Sequence, residues 1–215
     1  MILKKIKTVI ISLSLLFMVS GCTLKSSNDT QNTSDSVIQK STKNYTKTIN
    51  KYDGYDLNGY KFYIMDGQKE HDEFLETLST DFDETIKQNF ETYRYKIDEN
   101  KKINLIPFRF RINVNQETVT TNYFIVNNSN RVVNDISFKG FPRFKNTEVE
   151  EKTDAKLTKK ELGYLPEKSF VAFSITMSAP KSYQAKLKEN KVADLSFDIT
   201  DLEINGEKVD NNNEH

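Results

Sequence analysis

From residue 105 onward the apolar side chains recur at every second position, and that period limits most of this chain to sheets. Phe108, Phe110, Ile112 and Val114 alternate with Arg109, Arg111, Asn113 and Asn115. Val171, Phe173, Ile175 and Met177 alternate with Ala172, Ser174 and Thr176, and Leu195, Phe197 and Ile199 with Asp194, Ser196 and Asp198. Neighbouring side chains of a strand point to opposite faces, so such segments bury one face and wet the other, as antiparallel sheets do. Residues 118–126 read as another strand, the Asn-Asn-Ser-Asn run at 127–130 as a turn, and 132–138 as the strand returning from it. Asn58-Gly59 marks a turn before a first strand at 60–65, and Asn205-Gly206 a hairpin near the end. Residues 140–163 are polar and charge-dense, which predicts a long loop with a weak edge strand, beyond the ~12–15 residues usual for structureless connections.

One region follows another period. Phe82, Ile86, Phe90, Tyr93 and Ile97 are spaced by four and three residues, the stripe of an amphipathic helix. Thr80 is placed to cap it, with Asp81, Asp83 and Glu84 in a first turn where the helix dipole favours negative charge. A shorter helix over 70–78 would turn Phe74, Leu75 and Leu78 inward. Tyr45, Tyr52, Tyr55, Tyr60 and Tyr63 are expected to pack the first strand onto the core rather than to form a glycan-stacking face. With no repeats and no Pro/Gly-rich boundary, residues 51–210 form a single domain. The expected class is mainly β with a helical insertion over 68–97 (α+β): an antiparallel sandwich plus one or two helices.

The N-terminus carries a different signal. Residues 1–7 are basic, residues 8–19 carry no charge, and Val19-Ser20-Gly21-Cys22 follows with small residues before the only cysteine. The uncharged run is shorter than the ~20 residues of a spanning helix and has the layout of a secretory signal. The motif resembles the lipobox of Gram-positive bacterial lipoproteins. That resemblance implies removal of residues 1–21 and a diacylglycerol thioether at Cys22, placing the protein on the extracytoplasmic face of the cell membrane. Two acyl chains, at ~0.8 kcal/mol per buried methylene, anchor firmly where one is marginal. Residues 22–50 would then be a lipidated cysteine and a disordered polar tether, about 30 Å long on average, and residues 211–215 a disordered tail. Lipidation leaves no thiol for a disulfide or a nucleophile.

A second resemblance lies within the domain. The run 123–129 (Tyr-Phe-Ile-Val-Asn-Asn-Ser), a long polar loop, and 165–169 (Leu-Pro-Glu-Lys-Ser) entering a strand are similar to immunoglobulin-like domains of telokin-like and surface-layer-associated types. It implies an immunoglobulin-like sandwich that binds or spaces, without catalytic residues.

The chemistry on offer is sparse. Three lysines leave with residues 1–21, so 31 basic side chains fall by three against 31 acidic ones, a net charge of −3 that gives no drive towards nucleic acid. There is no glycine-rich phosphate loop, no clustered His and Cys for zinc, and no cofactor motif. His71 sits in a polar helical run, and His215 at the end. Asp81, Asp83 and Glu84 lack calcium-loop spacing and read as helix-start residues. Arg109 and Arg111, on one face of one strand about 7 Å apart, are the candidate ligand-binding pair for a phosphate or carboxylate, or else a solvated face paired with Asp194 and Asp198. The expected role is a membrane-anchored, non-enzymatic binding or envelope-assembly module, contacting an envelope protein or wall polymer through the 140–163 loop. The alternatives are a solute-binding lipoprotein of a transporter and a cell-wall-directed hydrolase.

Overall fold

A computed structural model describes residues 10–12, 45–145 and 152–212. Residues 1–9, 13–44 (the lipobox among them), 146–151 and 213–215 lie outside the described residues.

Two sheets face each other. The first runs β2 (Tyr55–Leu57), β3 (Tyr60–Phe62), β8 (Ser169–Ser178), β5 (Thr118–Asn127), β4 (Ile103–Asn113), and β1 (Ile10–Ser12) lies on the part of β8 that β3 leaves uncovered. The second runs β10 (Glu207–Val209), β9 (Ser196–Ile204), β6 (Ile136–Arg143), β7 (Thr153–Leu157). Among the described residues all strand pairings are antiparallel except β3 on β8. Three helices, α1 (Thr46–Tyr52), α2 (Asp72–Phe82) and α3 (Gln88–Tyr93), cover part of the outer face of the first sheet. The protein is therefore mainly β in an α+β arrangement, as the sequence predicts.

Two apolar clusters follow from this layering. Tyr123, Ile125, Phe173 and Ile175 of the first sheet meet Phe138, Leu157, Phe197 and Ile204 of the second. On the reverse face, Ile106, Phe108, Phe124 and Phe170 meet Phe74, Leu78, Phe82, Ile86 and Phe90 of the helical layer. Strands covered on both sides bury consecutive residues, which is why Tyr123 to Val126 and Phe170 to Phe173 are apolar without alternation. Phe108 departs from its expected face. The β4–β5 register shifts between Pro107 and Arg109, and this bulge sends Phe108 to the helical cluster while Phe110 packs on the inter-sheet core.

The helical stripe is real, but its start is not where Thr80 suggested. The Thr80 hydroxyl donates back to the Glu76 and Thr77 carbonyls, so it belongs to the last turn of α2. Asp81 leaves helical geometry at φ −127° and ψ 23°, and a π turn over Asp83–Lys87 leads into α3. Four-residue spacing drifts by ~40° per step on a regular α-helix, and the wider turn offsets that drift. Phe82, Ile86 and Phe90 all stay buried. The tyrosines pack as expected: Tyr52 and Tyr60 are buried, and Tyr45 and Tyr55 pack on the helical cluster.

Four expectations need correction. The tether does not extend to residue 50, because α1 begins at Thr46. Asn58-Gly59, with φ +55° and +87°, is a turn before a strand at Tyr60 as expected, but that strand is not the first of the domain: the turn is a hairpin joining β2 to β3. The Asn127 region is no hairpin turn: Asn127 and Ser129 are buried, and the chain crosses there from the first sheet to the second. Finally, the described part of 140–163 holds more than the expected loop, although the expected edge strand is present in it as β7. It completes β6, forms β7, and ends in α4 (Lys159–Leu162), where the Glu161 carboxylate accepts the Thr158 N–H at 2.8 Å. Thr153, Ala155 and Leu157 of β7 are buried while Asp154 and Lys156 are exposed. Leu157→Ala is therefore expected to lower unfolding free energy by about 2–4 kcal/mol, read by urea titration. A free loop would give almost no change.

Candidate functional site

β4 and β9 are the strands along which the two sheets come closest to each other without pairing. β9 pairs β6 along its length, but its other side is matched by β10 only from Leu202 to Ile204. Between the uncovered part of β9 and the outer side of β4 lies a cleft of about 590 Å³, within the ~300–1,000 Å³ range of small-ligand pockets. Leu105, Phe197 and Ile199 contribute apolar lining, and Lys96, Asp98, Asp198 and Asp210 contribute charge.

Each charged group here also has local work. Lys96 follows α3 (Gln88–Tyr93), and its ammonium donates to the carbonyls of Val192 (3.1 Å) and Leu195 (2.7 Å). Burial holds its pKa below the usual lysine value, opposed by the nearby Asp194 carboxylate. Lys96→Met should release that turn and cost about 2 kcal/mol, as for hydrogen bonds to a charged group. Faster amide exchange at residues 192–195 would accompany it. Asp198 accepts the Arg143 Nε at 2.7 Å, Asp98 accepts the Asn100 N–H at 3.0 Å, and Asp210 accepts the Asn212 N–H at 3.0 Å.

The C-terminal segment closes one end of the cleft, which corrects the reading of 211–215 as a wholly disordered tail. Asn211 Oδ1 accepts the Ile103 N–H at 2.9 Å and its Nδ2 donates to the Ile103 carbonyl at 3.1 Å. The side-chain amide thus stands in for a peptide group on the edge of β4. This tie has no signal in the sequence beyond a polar residue near the end.

Arg109 and Arg111 lie elsewhere. Both are exposed, on strand β4 beyond the part that packs in the helical cluster. The register continues their rows across the sheet: Arg109 to Asn122 to Ser174, and Arg111 to Thr120 to Thr176. Ser174 Oγ donates to Asn122 Oδ1 at 3.0 Å, and the Thr120 and Thr176 hydroxyls are 2.9 Å apart. The partners suggested for these arginines are engaged otherwise, Asp198 with Arg143 and Asp194 with Lys145 at 3.8 Å. The structure therefore places the two arginines beside rows of hydroxyl and amide side chains, of which Asn122 and Ser174 are buried and Thr120 and Thr176 half-buried. His71 is exposed at the start of α2. Among the described residues no three His, Cys, Asp or Glu side chains converge as a metal site, and no helix is long and apolar enough to cross a membrane.

No known family, curated protein or solved structure matches the chain.

Proposed function

We propose that this protein is a lipoprotein, anchored through Cys22 to the extracytoplasmic face of a Gram-positive cell membrane, whose domain is a non-enzymatic binding or envelope-assembly module. The observation that carries the reading is Val19-Ser20-Gly21-Cys22, placed after a basic start and an uncharged run. It is supported by the start of the helical layer at Thr46, with Tyr45 packed on it, which leaves residues 23–44 between the anchor and the fold. The Arg109 and Arg111 surface supports binding, since two guanidinium groups on a rigid strand suit a phosphate or carboxylate of a wall polymer or envelope protein. Two facing sheets support an immunoglobulin-like origin for the sandwich. The parallel β3–β8 pair and the helices on one outer face are departures from that pattern.

Growing cells on a radioactive fatty acid tests the anchor. Label is expected in the wild-type protein and absent from Cys22→Ala, which should leave the membrane fraction; label retained by the variant would refute it. Two rival readings each have one observation in their favour. The cleft volume suits a small solute, and the cleft carboxylates Asp98, Asp198 and Asp210 are of the type a wall hydrolase uses. Incubation with purified cell wall is expected to release no soluble sugar or peptide, and release would replace the binding reading with the hydrolase.

A further inference from the structure

Four of the strand edges in this domain carry a device that discourages pairing with another chain. β2 and β10 are three residues long and carry Asp56, or Glu207 and Lys208. β7 places Asp154 and Lys156 outward. β4 has Pro107, a bulge and the Asn211 clamp. Short, charged, proline-bearing or bulged edges are how proteins prevent edge-to-edge association.

The outer edge of β8 has none of these. From Ser174 to Ser178 it holds no charge and no proline, and its pairing with β5 runs without a register shift. β3 covers only Ser169 and Phe170. The Phe170 carbonyl accepts the Tyr63 N–H at 2.9 Å, and the Ala172 carbonyl accepts Gln68 Nε2 at 2.7 Å. By the two-residue period, the peptide groups of Ser174 and Thr176 point the same way, beyond reach of β3. In the full chain they are met by β1, antiparallel, with Ser12 opposite Ser174 and Ile10 opposite Thr176. β1 belongs to the segment that processing at Cys22 would remove.

We propose that the β8 edge of the processed protein is a strand-acceptor site, taken by an extended, uncharged, β-branched segment of another envelope polypeptide that adds antiparallel beside Ser174–Thr176. β1 is the template: its sequence, Ile-Ile-Ser, has that chemistry, and the pairing shows the register. Main-chain hydrogen bonds supply the affinity in this mode of recognition, and the alternating side chains supply the selectivity. The inference rests on the proposed processing, which removes β1 from that edge.

The probe is a synthetic peptide of residues 4–14, whose lysines keep it in solution, titrated into the chain from Cys22 onward carrying Cys22→Ser. That chain keeps both apolar clusters, which lie between residues 45 and 209. Saturable binding is expected. N-methylation of the peptide at Ile10 and Ser12, whose donors face β8, should weaken it about tenfold or more. N-methylation at Ile11, whose donor faces away, should leave it within about threefold. Absence of binding, equal sensitivity at all three nitrogens, or a peptide-resistant dimer joined at β8 would each overturn the proposal. The titration reads the edge alone, whereas fatty-acid labelling reads the anchor, so either can fail without the other.

Discussion

Replacing Phe170 with alanine is expected to destabilise the domain by about 3–5 kcal/mol, the range for a large aromatic removed from a rigid core. The ring is fully buried where β3, β8, β5 and α3 meet. It stacks on Phe90 at 3.9 Å with 6° between planes, and meets Phe124 at 5.3 Å and Phe62 at 5.4 Å. Phe62 and Phe124 are on strands held by their neighbours, so the site cannot collapse to fill the void. Stacked and edge-on ring pairs add roughly 0.5–1.5 kcal/mol beyond burial, which Phe170→Leu would lose without leaving a comparable void. Guanidinium unfolding of the two variants separates these contributions. A loss below about 1 kcal/mol for alanine would mean that the helices are not seated on the sheet as described.

Gly140→Val acts by collision instead of cavity. Gly140 lies in β6 between β7 and β9, at the point where the β6–β9 register shifts. A Cβ at this position would run into the Asp198 carbonyl and the Phe197 ring. The carbonyl belongs to β9's backbone, so relief requires the two strands to separate. Overpacking costs typically ~1–3 kcal/mol, and a branched side chain against main chain is expected at or above the top of that range. Phe197, Asp198 and Ile199 also line the cleft, so the variant should distort that site where Phe170→Ala leaves it intact. Amide exchange along β9 distinguishes the two, with fast exchange at 196–200 expected only for the glycine variant.

The parts of the fold that the sequence revealed are those with one wet face. β9 alternates because one side meets the opposite sheet and the other is largely wet, whereas β8 is buried on both faces over most of its length and alternates only through Ser174, Thr176 and Ser178. The stripe from Phe82 to Ile97 was legible because the helices bury one face against the first sheet and leave the other wet. β7 was harder to see, since Asp154 and Lys156 dominate its composition while three smaller residues carry the burial. Asn127-Asn128-Ser129 misled for a different reason. These are turn formers by composition, yet here Asn127 Nδ2 bonds the Arg131 and Leu165 carbonyls and is buried with its hydrogen bonds satisfied. The arginine pair was legible from strand period, but its continuation through Asn122, Thr120, Ser174 and Thr176 depends on pairing between distant segments. The cleft had no local signal at all, since residues near 96–107, 195–202 and 209–212 form it together.

Intact mass and N-terminal fragment analysis of the protein extracted from membranes tests the central claim most directly. The expected result is a chain beginning at Cys22, heavier than its amino acids by a thioether-linked diacylglycerol, with no peptide from residues 1–21. Such a chain lacks β1, the strand that meets the outer edge of β8 at Ser174–Thr176 among the described residues. A chain that retains residues 10–12, or that begins at Cys22 with a bare thiol, would contradict the account.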